Sequence, residues 1–164
     1  MTEQRTLLIL WHSRTGASHA MAEAAAEAAR EESAARMIAA EQAGPEDMLA
    51  ASGYLFVCPE NLASMTGAMK EFFDRCYYPL LGQIEARPYA AMVAAGSDGA
   101  GAVRQIERIA TGWRLKRIAE SLIVCTHAQT PEEIAAPKHL DEAALAPCSE
   151  LGAKFGAGLA MGIF

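Results

Sequence analysis

The stretch that decides the fold is an apolar run followed by a hydroxyl-rich turn, Leu7-Leu8-Ile9-Leu10-Trp11 and then, after His12, Ser13-Arg14-Thr15-Gly16-Ala17-Ser18. The apolar run is typical of a buried strand, and the alanine-rich segment after the turn has the periodicity of a helix. The turn therefore lies at a helix N-terminus, where unpaired backbone N–H groups and the helix dipole attract a phosphate. Because serine and threonine also serve as plain helix caps, the turn alone is a modest indication of an anion site.

The composition is that of an ordinary globular chain with a moderate negative charge. The 164 residues, 52% hydrophobic and 21% charged, predict a single domain over residues 1–164. The net charge of −6 argues against binding to nucleic acid or to an anionic membrane and favours small-molecule or protein partners. The N-terminal residues show no leader pattern and the apolar runs are too short to span a bilayer, so we expect a cytoplasmic protein.

Strand-like and helix-like segments alternate along the whole chain. The pattern predicts strands at residues 5–11, 35–40, 54–58, 89–95 and 117–125, and helices at 15–32, 45–51, 66–78, 101–112 and 141–161. We expect Pro147 to interrupt or restart the last helix, and residues 126–139 to form a surface connection. Continuous apolar strands between helices predict a three-layer α/β fold, with a five-stranded parallel sheet covered on both faces.

In a sheet of strand order 2-1-3-4-5, three loops meet at one edge. The second loop, residues 59–67, is long for a strand-to-helix connection, and extra length there usually serves binding. The third loop, residues 96–101, contains three glycines, which allow positive φ and a close backbone approach to a flat ligand. Taken alone, the third loop is an ordinary flexible turn.

Together these loops resemble those of a known family: the flavodoxin-like proteins, and within them the NAD(P)H-dependent FMN reductases and flavin quinone reductases. Residues 13–18 are similar to the family's phosphate loop, and Pro59-Glu60-Asn61 to its proline-led second loop. The stretches Ser64-Met65-Thr66-Gly67-Ala68-Met69-Lys70 and Asp74-Arg75 are similar to the motifs that follow the start of that loop in the family.

The resemblance implies FMN as cofactor, with NAD(P)H as a transient substrate. The phosphate would be bound by the first loop, the ribityl chain and one side of the isoalloxazine by the second, and the pyrimidine end by the third. The implied contacts are, in chain order, Ser13, Arg14, Thr15, Gly16, Ala17, Ser18, Pro59, Glu60, Asn61, Leu62, Ala63, Ser64, Gly96, Ser97, Asp98 and Gly99. No side chain is assigned as catalytic, because the flavin carries the chemistry.

The chain departs from flavodoxins in two respects. The second and third loops contain no aromatic residue to stack on the flavin, and the chain is less acidic than electron carriers tend to be. Both departures favour an enzyme with an open stacking site, which passes a hydride through FMN N5 to a quinone, flavin or similar acceptor. The alternatives are a non-enzymatic flavodoxin-type electron carrier and a binding module without flavin.

Other candidate sites have weaker support. The four cysteines are widely spaced, with no C-x-x-C pair, and are expected to be reduced; the histidines show no metal-ligand spacing, so no metal site is predicted. His12 is interpreted as a structural histidine rather than a phosphate or substrate donor. The apolar stretch from Phe72 to Leu81 exceeds what one helix face can bury, which indicates a homodimer or homotetramer interface.

Overall fold

The computed structural model describes residues 3–164. Met1 and Thr2, which belong to the N-terminal stretch examined above for a leader pattern, lie outside the described residues. Its strands are β1 (Thr6–Trp11), β2 (Ala34–Ala39), β3 (Gly53–Asn61), β4 (Ser64–Met65), β5 (Pro88–Ala95), β6 (Lys116–Arg117) and β7 (Leu122–Cys125). Its helices are α1 (Ala17–Arg30), α2 (Pro45–Ala50), α3 (Gly67–Leu80), α4 (Ala100–Gly112), α5 (Pro131–Ala135) and α6 (Glu142–Met161).

The sheet has the predicted order. Strands β2, β1, β3 and β5 lie side by side and parallel, and both β6 and β7 pair with β5 along its far edge. Since β6 and β7 occupy the place of the fifth predicted strand, the order 2-1-3-4-5 is confirmed. The predicted strand over residues 117–125 is wrong in one respect, because it is broken into two short pieces.

Alternate side chains of the central strands enter two separate cores. Leu8 and Leu10 of β1 pack in the core beneath α2, α3 and α4, whereas Leu7 and Ile9 pack beneath α1 and α6. Both cores are apolar because the pleat sends successive side chains to opposite faces and helices cover both. The predicted three-layer architecture is confirmed.

Three local features differ from the sequence prediction. Strand β3 continues to Asn61 and folds back on β4 as a hairpin, so the second loop is partly sheet. Helix α6 runs unbroken through Pro147, and the expected interruption there is wrong. The connection after β7 contains a short helix, α5, that was not predicted.

Within the described residues, no helix is long and apolar enough to cross a membrane.

Candidate functional site

A pocket lies at the carboxyl edge of the sheet, between the ends of β1, β3 and β5. Four chain segments line it, including the crossing segment, which we define as residues 126–140 between β7 and α6. The lining residues are Arg14, Thr15 and Ala17; Pro59, Glu60 and Asn61; Ala94, Ala95 and Gly96; and Thr126, Ala128, Ile134 and Lys138. Such an edge, where strand order reverses, is the usual ligand position in open parallel sheets.

The first loop enters α1 through a left-handed glycine. Gly16 has φ of 108°, and its N–H donates to Ser13 Oγ at 3.0 Å. Because Ser13 Oγ accepts in that bond, its own O–H stays available to donate outward. A side chain at Gly16 would be strained by the backbone and would also touch the Lys138 carbonyl oxygen, 3.4 Å from an added Cβ.

Ser18, in the first turn of α1, carries an orphaned polar atom. Its side chain is only 1% exposed, and its Oγ has no hydrogen-bond partner among the described residues. A buried hydroxyl without a partner is costly and is rare unless a ligand or water completes it. Thr15 and Ala17 of this turn line the pocket, whereas Ser13, Gly16 and Ser18 do not. The unpartnered Ser18 hydroxyl and the N–H groups of the first turn are nevertheless donors of the kind that suit a phosphate.

The second loop is a tight hairpin with an exposed tip. Asn61 pairs with Ser64, leaving a two-residue turn in which Leu62 and Ala63 both have positive φ, 52° and 61°. This is the geometry of a type I′ turn, which normally prefers asparagine and glycine. Leu62 is 91% exposed, so the structure leaves its side chain outside the pocket lining.

Glu60 joins the second loop to the start of α4. Its two carboxylate oxygens accept hydrogen bonds from the N–H groups of Gly99 at 2.9 Å, Gly101 at 3.1 Å and Ala102 at 3.3 Å. Those groups are the unpaired donors of a helix N-terminus, where a carboxylate is electrostatically favoured. Glu60 therefore lines the pocket while its charge is already engaged by the protein.

The third loop meets the hairpin through its glycines. A Cβ on Gly101 would overlap the Ala63 carbonyl group, so the two segments approach as closely as their backbones allow. Ser97 and Asp98 are exposed, and Asp98 Oδ1 accepts from the Ala100 N–H at 3.1 Å. Of the third-loop residues singled out from the sequence, only Gly96 lines the pocket.

The crossing segment ties the third loop to the first and was missed as part of the site. The His127 N–H donates to the Gly96 carbonyl at 2.9 Å, and the Lys138 N–H donates to the Thr15 carbonyl at 2.8 Å. One signal was present in the sequence. The last helix must cover the first strands, so the chain leaving the fifth strand has to cross the sheet edge that holds the three loops.

His12 is held by two neighbours and points to no ligand. Its Nδ1 lies 2.8 Å from Thr66 Oγ1 and its Nε2 lies 3.3 Å from Glu41 Oε1. Burial lowers the pKa of the imidazole; Glu41 opposes this shift and Arg14 adds to it. Both ring nitrogens are thus within hydrogen-bond distance of protein side chains, which gives His12 a structural role.

Three of the four thiols are kept protonated by burial, and the described residues hold no cluster of metal ligands. Burial raises the pKa of Cys58 to about 12 and the pKa of Cys76 and Cys148 to about 11, so these thiols stay protonated. Across residues 3–164, no three His, Cys, Asp or Glu side chains cluster as a metal site requires.

The fold and the three loops define a class: a flavodoxin-like flavoprotein with a pocket at the carboxyl edge of its sheet. Residues 39–129 match the family model described as NADPH-dependent FMN reductase. The chain belongs to this family and is an FMN-binding flavoprotein.

Comparisons with individual proteins agree with this class. The chain is 34% identical over 97 residues to a flavodoxin of Aquifex aeolicus (strain VF5), across 58% of this chain. The match spans about half of that relative, 52% of its length.

The chain also resembles the solved structure of a flavodoxin, WrbA-like protein from Agrobacterium tumefaciens. The TM-score is 0.70 at 20% identity, covering 96% of this chain and 98% of that one. The flavodiiron protein from Giardia intestinalis aligns with a TM-score of 0.75 at 17% identity, over 97% of this chain and 37% of that one. At these identities the structural matches show the shared fold.

Proposed function

We propose that this protein is an NAD(P)H-dependent reductase that transfers a hydride through FMN to a quinone, a flavin or a similar acceptor. We also propose that residues 1–164 form one domain and that the protein is cytoplasmic. When bound, FMN supplies the redox chemistry by accepting and releasing a hydride at N5. The protein's part is to hold, orient and shield that cofactor.

The observation that carries the proposal is the buried, unpartnered hydroxyl of Ser18 in the first turn of α1. In the proposed complex, Ser18 and Ser13 donate their hydroxyl hydrogens to the cofactor phosphate, beside the free N–H groups of that turn. Thr15 and Arg14 lie at the mouth of the same loop and line the pocket. A phosphate at this position would satisfy donors that the protein itself leaves free.

The second and third loops would receive the ribityl chain and the ring. Pro59, Glu60 and Asn61 line the pocket on one side and Gly96 on the other. Glu60 holds the two loops in register through its three backbone hydrogen bonds, so the ring would meet a preformed edge. Leu62, Ala63, Ser64, Ser97, Asp98 and Gly99 would contribute backbone shape more than side-chain contacts.

The choice of reductase over electron carrier rests on the open face beside these loops. Residues 59–67 and 96–101 contain no Phe, Tyr or Trp. A flavin bound there would leave one ring face without an aromatic cover from these loops, and a nicotinamide could stack against it. An electron carrier has no need of such a second planar site.

Spectroscopy and stopped-flow kinetics test the proposal. We expect FMN to bind with flavin absorption bands, NADH or NADPH to bleach them rapidly, and a quinone or free flavin to restore them. Slow bleaching together with an accumulating semiquinone would identify a carrier instead. If the purified protein shows no flavin bands and fails to bind added FMN, the proposal is wrong.

We also propose that the stretch from Phe72 to Leu81 forms a homodimer or homotetramer interface. Phe72, Phe73 and Leu80 are buried in the core, but Tyr78 is 77% exposed and Leu81 is 46% exposed. Tyr78 lies eleven residues into α3, about 17 Å from its start near the pocket. It could therefore cover only a partner's flavin. Sedimentation of the wild type and of a Tyr78→Ser, Leu81→Ser double variant tests this, and a wild-type monomer at micromolar concentration contradicts it.

A further inference from the structure

The crossing segment places the ammonium group of Lys138 next to the first loop. Lys138 Nζ lies 3.4 Å from Thr15 Oγ1 and donates to the carbonyl oxygens of Ile134 at 3.0 Å and Ala136 at 2.6 Å. Its backbone N–H is fixed to the Thr15 carbonyl at 2.8 Å. Lys138 is therefore bonded to Thr15 through its backbone N–H and lies close to the Thr15 hydroxyl through its Nζ. Thr15 belongs to the turn that we propose binds the phosphate.

We propose that Lys138 binds the phosphate of FMN and makes the site selective for the phosphorylated flavin. The inference rests on the proposed FMN site and adds a residue that comes from outside the three loops. A phosphate carries up to two negative charges into a chain of net charge −6, so a nearby cation offsets an unfavourable field.

The geometry shows which of its hydrogen bonds Lys138 would give up. An ammonium has three N–H donors, and here two are engaged by carbonyl groups at the end of α5. The third reaches only the Thr15 hydroxyl, at the long distance of 3.4 Å. This weak bond is the one that a phosphate oxygen would replace, and Lys138 has no carboxylate partner among the described residues to hold it back.

Arg14 is the other cation of the loop, and its position differs. Its side chain is exposed and makes no hydrogen bond or ion pair with another described residue. An unconstrained arginine loses side-chain freedom when it binds, whereas Lys138 is already restrained by its neighbours. We therefore expect Lys138 to contribute more than Arg14 to phosphate binding.

The competing explanation is that Lys138 only caps the end of α5. Lysine often hydrogen-bonds the last carbonyl groups of a helix. A pure cap would affect every ligand of the pocket alike, because it would act through the shape of the crossing segment. The ratio of FMN affinity to riboflavin affinity separates the two roles, since only FMN carries the phosphate.

The experiment is fluorescence titration of the flavin-free protein with FMN and with riboflavin. For Lys138→Met we expect the dissociation constant of FMN to rise at least tenfold and that of riboflavin to change less than twofold. Lys138→Gln keeps N–H donors for the α5 carbonyl groups and serves if the Met variant does not fold. Lys138→Arg should restore most of the FMN affinity. Lys154→Met, on the exposed side of α6, is the matched control and should bind both flavins as the wild type does.

Each other outcome overturns the inference. Equal weakening of FMN and riboflavin would make Lys138 a structural cap, and unchanged FMN affinity would show that it makes no phosphate contact. A larger FMN-specific loss for Arg14→Met than for Lys138→Met would transfer the role to Arg14. Failure of the wild type to bind FMN at all would instead refute the proposed function.

Discussion

The two ends of the pocket are built on opposite principles. At the first loop, Ser18 has a buried hydroxyl without a partner among the described residues, and Lys138 has one N–H that reaches only the Thr15 hydroxyl, at 3.4 Å. The other end is formed by the second and third loops, and we call it the ring end because the proposed FMN ring would lie there. At this end Glu60 accepts hydrogen bonds from three backbone N–H groups and joins the hairpin to α4. The first loop thus keeps donors that the described residues do not satisfy, whereas the ring end is satisfied internally and has a fixed shape.

Removing the Glu60 carboxylate from the ring end should cause the largest loss of stability. Glu60→Ala leaves three N–H groups at the start of α4 without an acceptor, and we expect the free energy of unfolding to fall by about 2 kcal/mol. Urea unfolding followed by circular dichroism measures this. Glu60→Gln keeps one acceptor oxygen and should lose roughly half as much. A loss below about 0.5 kcal/mol for the Ala variant would mean that the bonds contribute little to stability.

At the first loop, by contrast, removing a polar side chain should raise the stability of the flavin-free protein. Ser18→Ala removes a buried, unpartnered hydroxyl, so we expect the flavin-free protein to gain up to about 1 kcal/mol. The same change removes a phosphate donor and should raise the dissociation constant of FMN about tenfold, with riboflavin little affected. Thermal melts and flavin titrations check the two effects. A Ser18→Ala protein that is less stable and binds FMN normally would show that the Ser18 hydroxyl is neither an unsatisfied group in the flavin-free protein nor a phosphate donor.

The hairpin tip tests whether the ring end acts through its backbone. Leu62→Asn with Ala63→Gly places preferred residues at the two positive φ positions and should stabilise the protein by about 1 kcal/mol. FMN affinity should stay within twofold, because the exposed Leu62 side chain lies outside the pocket lining. A large loss of FMN affinity would show that the leucine side chain covers the flavin.

The smallest effect is expected at His12, next to the first loop. Burial lowers the pKa of His12 in the folded protein, so the folded state disfavours the proton more than the unfolded state does. The stabilisation is present above the unfolded value of about 6.5 and is lost as the pH falls from there through the lowered folded pKa. His12→Gln should make stability less dependent on pH as the pH is lowered below about 6.5. Urea midpoints of both proteins across that range measure the difference, and parallel curves would contradict it.

The architecture was largely predictable, because it depends on local apolar patterns. The runs that became β1, β3 and β5 are almost wholly buried, which explains why they stood out in the sequence. The hairpin was missed because Leu62-Ala63 lacks the asparagine and glycine that mark a type I′ turn. The unbroken α6 was missed because proline in a helix is ordinarily disruptive.

The sequence alone was enough to predict the class of fold, the three loops that meet at one edge, and the hydroxyl-rich first turn that leads into α1. These follow from periodicity and from residues adjacent in the chain. Only the tertiary structure decided that Glu60 is engaged by α4, that Ser18 is buried without a partner, and that Lys138 stands at the first loop. Glu60 and Lys138 bond to groups 39 and 123 residues away in the chain. At such separations the alternation of strands and helices predicts which loops meet, but not which side chain bonds to which group.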